Sequence, residues 1–242
     1  MKAMDLTTAE GRRAALLEMA ERRAKPGGGT APAVRARRTW SLPVPDLSPV
    51  LARPFAIVGG VATRLYMQER ASPDLDILID ASDAAAVERA LECAGAVRLS
   101  DHSAGGSRWE LPTMFATDLP GAAPTWRELA RIGGIMGVGD RDASAAFSPR
   151  RLDVLALDAP WVGPALRAPH MSPTGLPVLA LPYLVLMKLT SGTSGDLDDL
   201  ARMLGAANAG DLDATRAAVW AYRPAAADDL ERLVAAGQRE EA

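Results

Sequence analysis

The sequence predicts an α/β (α+β) fold in which a small mixed-sheet domain is followed by a C-terminal helical bundle. Three short apolar runs, at residues 55–58, 75–79 and 151–157, have the length and composition of buried strands. Beyond residue 180 the apolar residues recur at helical spacing. The chain has 242 residues, of which 48% are hydrophobic. It can therefore bury a sizeable core in one large domain, or in one domain with an appendage.

Residues 1–45 are predicted to form a helix and a flexible basic linker outside the core. Thr7-Thr8-Ala9-Glu10 matches a capping box, whose side chains satisfy free N–H groups at a helix start. The helical pattern continues to about Arg23, and a proline- and glycine-rich run at 25–32 ends it before a cluster of arginines at 35–38. We expect a solvated tail, and an arm that contacts RNA or a partner is the alternative.

The charge and cysteine content exclude several classes of protein. With 27 basic and 30 acidic residues the net charge is −3, which argues against a nucleic-acid coat protein or a polybasic membrane binder. A single cysteine, Cys93, and two histidines, His102 and His170, cannot build a disulfide framework or a Cys-rich zinc site. No apolar run reaches the roughly 18–20 residues of a membrane span. We therefore expect a cytoplasmic protein with no membrane partner.

The α/β domain is predicted to extend over residues 46–178 and to begin with a strand, a tight turn and a helix. The strand at 55–58 ends at Gly59-Gly60, and a helical stretch follows at 61–68. The second strand leads to an amphipathic helix at 82–94. The segment before the third strand is less regular, and its candidate elements are a strand at 108–111, a short helix at 126–132 and a glycine-rich loop at 133–139.

The C-terminal region, residues 179–242, is predicted to be helical throughout. Pro182 suits the first turn of a helix, Asp196 can cap the next one, and Pro224 separates the last two. The predicted helices are 182–189, 196–204, 212–222 and 226–237.

Asp74-Leu75-Asp76 is the first candidate for a chemical site. Side chains two residues apart on a strand point to the same face of the sheet, so both carboxylates face one way. At roughly 6–7 Å and an effective dielectric near 20, two such charges repel by about 2–3 kcal/mol, which a bound divalent cation would remove. Carboxylate oxygens are the ligands that Mg²⁺ prefers. The alternative is that one aspartate caps a turn and the other is exposed.

Glycine and polar residues elsewhere in the chain strengthen the case for a site. Gly59-Gly60, between a strand and a helix, allows a phosphate to approach the backbone, although an ordinary strand-to-helix turn explains the pair equally well. Arg70 and Ser72 place a guanidinium and a hydroxyl next to the two aspartates. Asp153, in the third strand, is a candidate third carboxylate.

The order and spacing of these residues resemble the DNA polymerase beta-like nucleotidyltransferase superfamily over roughly residues 54–210. One branch of it includes abortive-infection toxin nucleotidyltransferases and some antibiotic nucleotidyltransferases. That branch has a glycine pair, a helix, Arg-x-Ser/Thr-x-Asp-x-Asp, and later an aspartate in a strand. The matching residues in this chain are Gly59, Gly60, Arg70, Ser72, Asp74, Asp76 and Asp153.

The C-terminal region carries a second part of the resemblance. Lys188, the one lysine far from the N-terminus, lies in an apolar helical stretch and is followed by an acidic segment that begins at Asp196. This looks like the lysine and aspartate elements of the toxin-like branch. The basic residue that this branch commonly carries a few positions after the lysine is missing from residues 191–195.

The resemblance implies a metal-dependent nucleotide site. Asp74, Asp76 and Asp153 would hold two Mg²⁺ ions, and Asp153 would also help to deprotonate the attacking hydroxyl. Positioning and electrostatics would supply most of the rate. The residues implied to contact the nucleotide are Gly59, Gly60, Arg70, Ser72, Lys188 and Asp196.

The function that the resemblance implies is the transfer of an NMP from an NTP, such as ATP, to a hydroxyl acceptor on RNA or protein. The role would be toxin-like, and a cognate antitoxin is a candidate partner. Two alternatives stay open, since a fold alone does not determine a substrate. One is the modification of a small-molecule antibiotic, and the other is a degenerate, non-catalytic protein that keeps the fold and works through binding.

Overall fold

The computed structural model describes residues 5–26, 44–67, 74–103, 105–112 and 151–241. Four sequence predictions fall outside these residues: the nucleotide contacts Arg70 and Ser72, the basic part of the linker, the helix at 126–132 and the glycine-rich loop at 133–139. The chain divides into two compact units. A helical unit comprises Met1–Arg37, Tyr66–Gln68 and Ala180–Ala242, and an α/β unit comprises Arg38–Leu65 and Glu69–Leu179.

The described part of the α/β unit contains seven strands: β1 (Ala56–Val58), β2 (Leu75–Asp80), β3 (Val97–Asp101), β4 (Gly106–Glu110), β5 (Arg151–Leu157), β6 (His170–Met171) and β7 (Pro177–Val178). They form one mixed sheet in the order β3-β4-β5-β2-β1-β7-β6. Strand β2 is parallel to β5 and antiparallel to β1, and β4 is antiparallel to β5. The predicted mixed α/β class, with helices at the C-terminus, is confirmed.

The two central parallel strands, β2 and β5, have one wholly apolar face. Leu75, Ile77 and Ile79 alternate along β2 and are buried, as are Leu152 and Val154, the β5 residues that pair with the first two. Because successive side chains of a strand point to opposite faces, the residues between them point the other way. On that second face β5 carries Asp153, and β2 carries Asp76 and, at its end, Asp80.

Among the described residues, three helices belong to the α/β unit: α2 (Gly59–Thr63), α3 (Ala84–Cys93) and α4 (Val162–Arg167). Helix α3 is amphipathic and buries Val87 and Leu91. A 3₁₀ turn at Ala81–Asp83 joins it to β2. Asp80 holds that turn by accepting hydrogen bonds from the backbone N–H and the hydroxyl of Ser82, at 2.9 and 2.6 Å.

The observed elements differ from the predicted ones chiefly at their ends. The strand predicted at 151–157 is confirmed residue for residue, and the first two predicted strands differ by one residue at one end. The helix after the glycines ends at Thr63 rather than at 68, and the strand predicted at 108–111 spans 106–110. Strand β3 was not predicted. All of its residues are exposed, so it has no buried alternation that would reveal it.

The described part of the helical unit contains α1 (Ala9–Arg23), α5 (Leu181–Ser191), α6 (Ser194–Gly205), α7 (Ala209–Tyr222) and α8 (Ala227–Glu241). Helix α5 packs against α6 and α7 and buries Leu184, Val185 and Leu189. It ends at Gly192, whose φ of 61° is in the left-handed region that glycine adopts at helix C-termini. None of the described helices is both long and apolar enough to cross a membrane.

Helix α1 is packed into the helical unit, whereas residues 1–45 were predicted to lie outside the core. Leu17 and Ala20 are buried, and α1 packs against α6 and α8. Glu21 also accepts two hydrogen bonds from the Arg232 guanidinium of α8, at 2.8 and 3.0 Å. The apolar stripe of α1 is narrow, so the sequence alone gives little sign of a partner for it.

Two helix caps lie at residues other than those predicted. The N-cap of α1 is Thr8 rather than Thr7, and its hydroxyl accepts a hydrogen bond from the N–H of Gly11 at 2.9 Å. The N-cap of α6 is Thr193 rather than Asp196, and its hydroxyl accepts one from the N–H of Asp196 at 3.2 Å. In both cases a threonine in extended conformation satisfies an N–H group of the first turn.

Helices α6 and α8 are in close backbone contact at two glycines. A Cβ at Gly205 would overlap the backbone of Gly237, and a Cβ at Gly237 would overlap the carbonyl of Ala201. The missing side chains therefore determine how closely the two helices pack.

Candidate functional site

Three residues form a charged row across one face of the sheet, on three neighbouring strands, and the end of β1 lies beside it. Arg108 in β4 pairs with Asp153 in β5, Asp153 pairs with Asp76 in β2, and Asp76 pairs with Val58 in β1. Residues that pair directly have side chains on the same face, and the strands are about 4.8 Å apart. The charged row thus has two carboxylates side by side, with a guanidinium beyond one of them and the end of β1 beyond the other.

Gly59 lies directly after β1 and is in close contact with Asp76. Its φ is 62°, in the left-handed region, and a Cβ at this position would overlap the Asp76 carboxylate. The sequence suggested that the missing side chain makes room for a phosphate. In the structure the space is used by Asp76. The second glycine, Gly60, is half-buried in α2, and its carbonyl accepts a hydrogen bond from the Thr63 hydroxyl at 2.8 Å.

Asp153 is buried and has two basic neighbours. Its Oδ2 accepts a hydrogen bond from Arg108 Nε at 3.1 Å and lies 3.5 Å from His102 Nε2. Both basic groups come from the β3–β4 hairpin, since His102 begins its turn and Arg108 lies in β4. The Asp153 carboxylate is therefore directed toward β4, whereas the Asp76 carboxylate is directed toward β1.

Asp74 immediately precedes β2 and is half-buried. Burial raises the pKa of its carboxyl above the usual range, and the negative charge of Asp153 raises it further. The positive charges of Arg151 and Arg108 act in the opposite direction without cancelling the rise. Asp74 and Asp153 are thus close enough to repel each other, which is the electrostatic condition that a bound cation relieves.

The donor set of this region fits Mg²⁺, which binds carboxylate oxygens and keeps water positions for a phosphate. Asp74, Asp76 and Asp153 offer such oxygens on two adjacent strands. Within residues 5–26, 44–67, 74–103, 105–112 and 151–241, however, no three acidic, histidine or cysteine side chains are gathered as a ready metal-binding group. The three aspartates are not gathered into such a group partly because Arg108 and His102 direct Oδ2 of Asp153 away from β2.

Lys188 and Asp196 lie in the helical unit, where they contact each other. Lys188 is buried, and its Nζ donates to Asp196 Oδ1 at 2.8 Å and to Asp199 Oδ2 at 2.9 Å. Burial raises the pKa of Asp196, but the charge of Lys188 and hydrogen bonds from Lys188, Ser191 and Thr193 outweigh it, so the pKa lies below the usual value. The cluster holds α5 to the first turns of α6. A nucleotide contact by Lys188 or Asp196 stays a prediction.

Three residues that contact the predicted site residues were not predicted from the sequence. Asp199 is a second buried partner of Lys188, and its place in the acidic segment 196–199, one helical turn after Asp196, was an available signal. Arg108 and His102 had none, because their approach to Asp153 depends on how the β3–β4 hairpin registers against β5.

Comparison with known proteins adds no further constraint to this site. No protein-family model matches the chain, and no significant match is found among curated proteins.

Proposed function

We propose that the protein is a Mg²⁺-dependent nucleotidyltransferase that moves an NMP from an NTP to a hydroxyl acceptor. The observation that carries the proposal is the direct pairing of Asp76 with Asp153 on parallel strands, with Asp74 two residues before Asp76. Gly59 adjoins Asp76 on the other side. The glycine directly after β1, the Asp-x-Asp pair at the start of β2 and the aspartate in β5 are thus neighbours, although they are far apart in the sequence.

In the proposed reaction the acceptor oxygen forms a bond to the α-phosphorus of the NTP, and the bond from that phosphorus to the pyrophosphate oxygen breaks. The hydroxyl proton passes to the Asp153 carboxylate. Mg²⁺, when held by Asp74, Asp76 and Asp153, supplies positive charge to the triphosphate and to the leaving pyrophosphate. Gly59 makes room for the Asp76 carboxylate, and the resemblance assigns to Gly59 and Gly60 a contact with the phosphates. Catalysis then depends on orientation and on charges that are already in place.

The acceptor that we propose is RNA or protein, in a toxin-like role with an antitoxin as partner. The support is the resemblance of the segment from Lys188 to Asp196 to the toxin-like branch. A small-molecule antibiotic as acceptor, and binding without transfer, are the competing outcomes of the experiment below.

The test is to incubate the full-length protein with each α-labelled NTP, Mg²⁺ and cell lysate, and to follow the label. We expect the wild type to transfer label to RNA or protein. Asp76→Asn should transfer about a hundredfold more slowly or worse, which is the usual loss of rate when one catalytic electrostatic group is removed. The matched control is Asp158→Asn, an exposed carboxylate just beyond the end of β5, which should transfer normally.

Each other outcome has a definite meaning. Label in a small molecule would replace the proposed acceptor with an antibiotic-like one. Equal signals from wild type, Asp76→Asn and Asp158→Asn, at the level of a blank without protein, would overturn the proposal in favour of a non-catalytic protein. Addition of EDTA should abolish transfer, and transfer that persists without divalent cations would contradict the proposed role of Mg²⁺.

A further inference from the structure

The contact between Arg108 and Asp153 gives the charged row a built-in cation. Nε of Arg108 is 3.1 Å from Oδ2 of Asp153, within hydrogen-bond distance. The two partners are very differently exposed. The Arg108 side chain is 50% exposed, whereas the Asp153 side chain is 12% exposed. The carboxylate is buried on the face of the sheet, and the guanidinium contacts it from the solvent-exposed side.

We infer that Arg108 is an exchangeable counter-ion of Asp153. Its guanidinium neutralises the carboxylate while no metal is bound, and a divalent cation takes its place when the site is loaded. The inference rests on the proposed function, since it concerns the same three aspartates. It assigns to Arg108 a positioning role that acts through Asp153.

The exchange is favoured by the geometry of the two side chains. Asp153 pairs with Asp76 on one neighbouring strand and with Arg108 on the other. Without a positive charge nearby, two neighbouring carboxylates, one of them buried, would be costly. Arg108 supplies that charge, and because half of its side chain is already in solvent, giving up the contact costs it little free energy.

His102 does not make Arg108 redundant. Its Nε2 is 3.5 Å from the same carboxylate oxygen, and its side chain is only 14% exposed. It is therefore enclosed at the β3–β4 turn, whereas half of the Arg108 side chain is in solvent. Arg108 is the group that a cation would displace.

The test measures Mn²⁺ binding to the full-length protein, by the loss of the free Mn²⁺ signal in electron paramagnetic resonance. Arg108→Gln removes the charge and keeps a polar side chain, so we expect Mn²⁺ to bind about fivefold more tightly than to wild type. Arg108→Lys, which keeps the charge, should stay near wild type. The matched control is Arg98→Gln on β3, whose partners are Asp101 and Glu88, and it should not change the affinity.

A double variant connects the effect to Asp153. In Arg108→Gln with Asp153→Asn the gain in affinity should disappear, because the carboxylate that the cation would reach is gone. Unchanged or weaker Mn²⁺ binding in Arg108→Gln would overturn the inference, and so would a gain that survives Asp153→Asn. A merely structural role for Arg108 predicts weaker binding, which is the opposite sign.

The proposed function and this inference fail in different ways. Mn²⁺ binding that is lost in Asp76→Asn but unchanged in Arg108→Gln would overturn the counter-ion role and leave the metal site standing. A gain in Arg108→Gln, together with no label transfer by wild type, would overturn the nucleotidyltransferase and support the counter-ion role. If neither wild type nor Arg108→Gln binds Mn²⁺, both are overturned.

Discussion

Gly59 and Asp76 are packed so closely that any side chain at position 59 would overlap the Asp76 carboxylate. The backbone at Gly59 is also in the left-handed region, at a φ of 62°. Glycine is therefore required here for two separable reasons, one steric and one conformational. The steric reason connects the turn after β1 directly to a proposed metal ligand.

Gly59→Ala should displace the Asp76 carboxylate and lower nucleotidyl transfer by about a hundredfold, since small misplacements of reacting groups are costly. Because alanine is strained in the left-handed conformation, the variant should also have a free energy of unfolding about 1–2 kcal/mol lower than the wild type. Urea denaturation and the label-transfer assay measure the two effects. The control is Gly175→Ala, where φ is 81° but no atom lies within 4 Å of the added Cβ. It should lose similar stability and no activity, and a matching loss of activity would contradict the steric explanation.

Lys188→Met should lower the free energy of unfolding by about 3–5 kcal/mol, because it leaves buried carboxylates without their cation. Lys188 is the shared partner of Asp196 and Asp199. Chemical denaturation measures the change, and the exposed Lys25→Met is the control, with an expected change within about 0.5 kcal/mol. Undiminished stability together with weaker NTP binding would instead favour the phosphate contact that the family resemblance implies.

The Glu21–Arg232 pair should make the stability of the helical unit depend on pH. The hydrogen bond from Arg232 holds the pKa of Glu21 below its usual value of 4.5, against the opposing effect of burial. A carboxyl with a depressed pKa stabilises the folded state above its unfolded pKa, and this is lost as the pH falls through the folded value. Between pH 6 and pH 3 the Tm of the wild type should therefore fall more steeply than the Tm of Glu21→Gln. Parallel pH profiles for the two proteins would argue against the contact.

Gly237→Ala should destabilise the α6–α8 packing by about 1–3 kcal/mol, the usual cost of overpacking. The added methyl group would meet the Ala201 carbonyl, which is backbone and cannot rotate away. Gly210→Ala, near the start of α7, is the matched control, since its nearest neighbour is the side-chain oxygen of Asn208 at 3.4 Å. It should lose no stability, because alanine is the better helix former. Equal effects at both positions would contradict the close crossing.

The strands that carry the candidate site were predictable because their apolar alternation is local. Leu75, Ile77 and Ile79 predict a buried strand whatever its neighbours are, and the two aspartates beside Leu75 then share a face. Their pairing partner was not predictable in the same way. That Asp153 meets Asp76 depends on the order and register of strands that are far apart in the sequence.

The contacts that were missed come from segments with weak local signals. Strand β3 is exposed throughout, so one strand of the hairpin that presents Arg108 and His102 to Asp153 left no apolar pattern. Strand β4 was predicted, but its register against β5 was not. Helix α1 has only Leu17 and Ala20 fully buried, and its partners follow more than 150 residues later. Such associations are decided by tertiary packing rather than by local preference.

The docking of α1 on α6 and α8 also has a consequence for the order in which the chain can fold during synthesis. Helix α1 leaves the ribosome before α6 and α8, the two helices that it packs against. An isolated helix of 15 residues is marginal in water, so α1 gains tertiary support only after α6 and α8 have been made. A nascent chain that stalls before α8 is made would expose these residues, which would make incomplete products recognisable to chaperones and proteases.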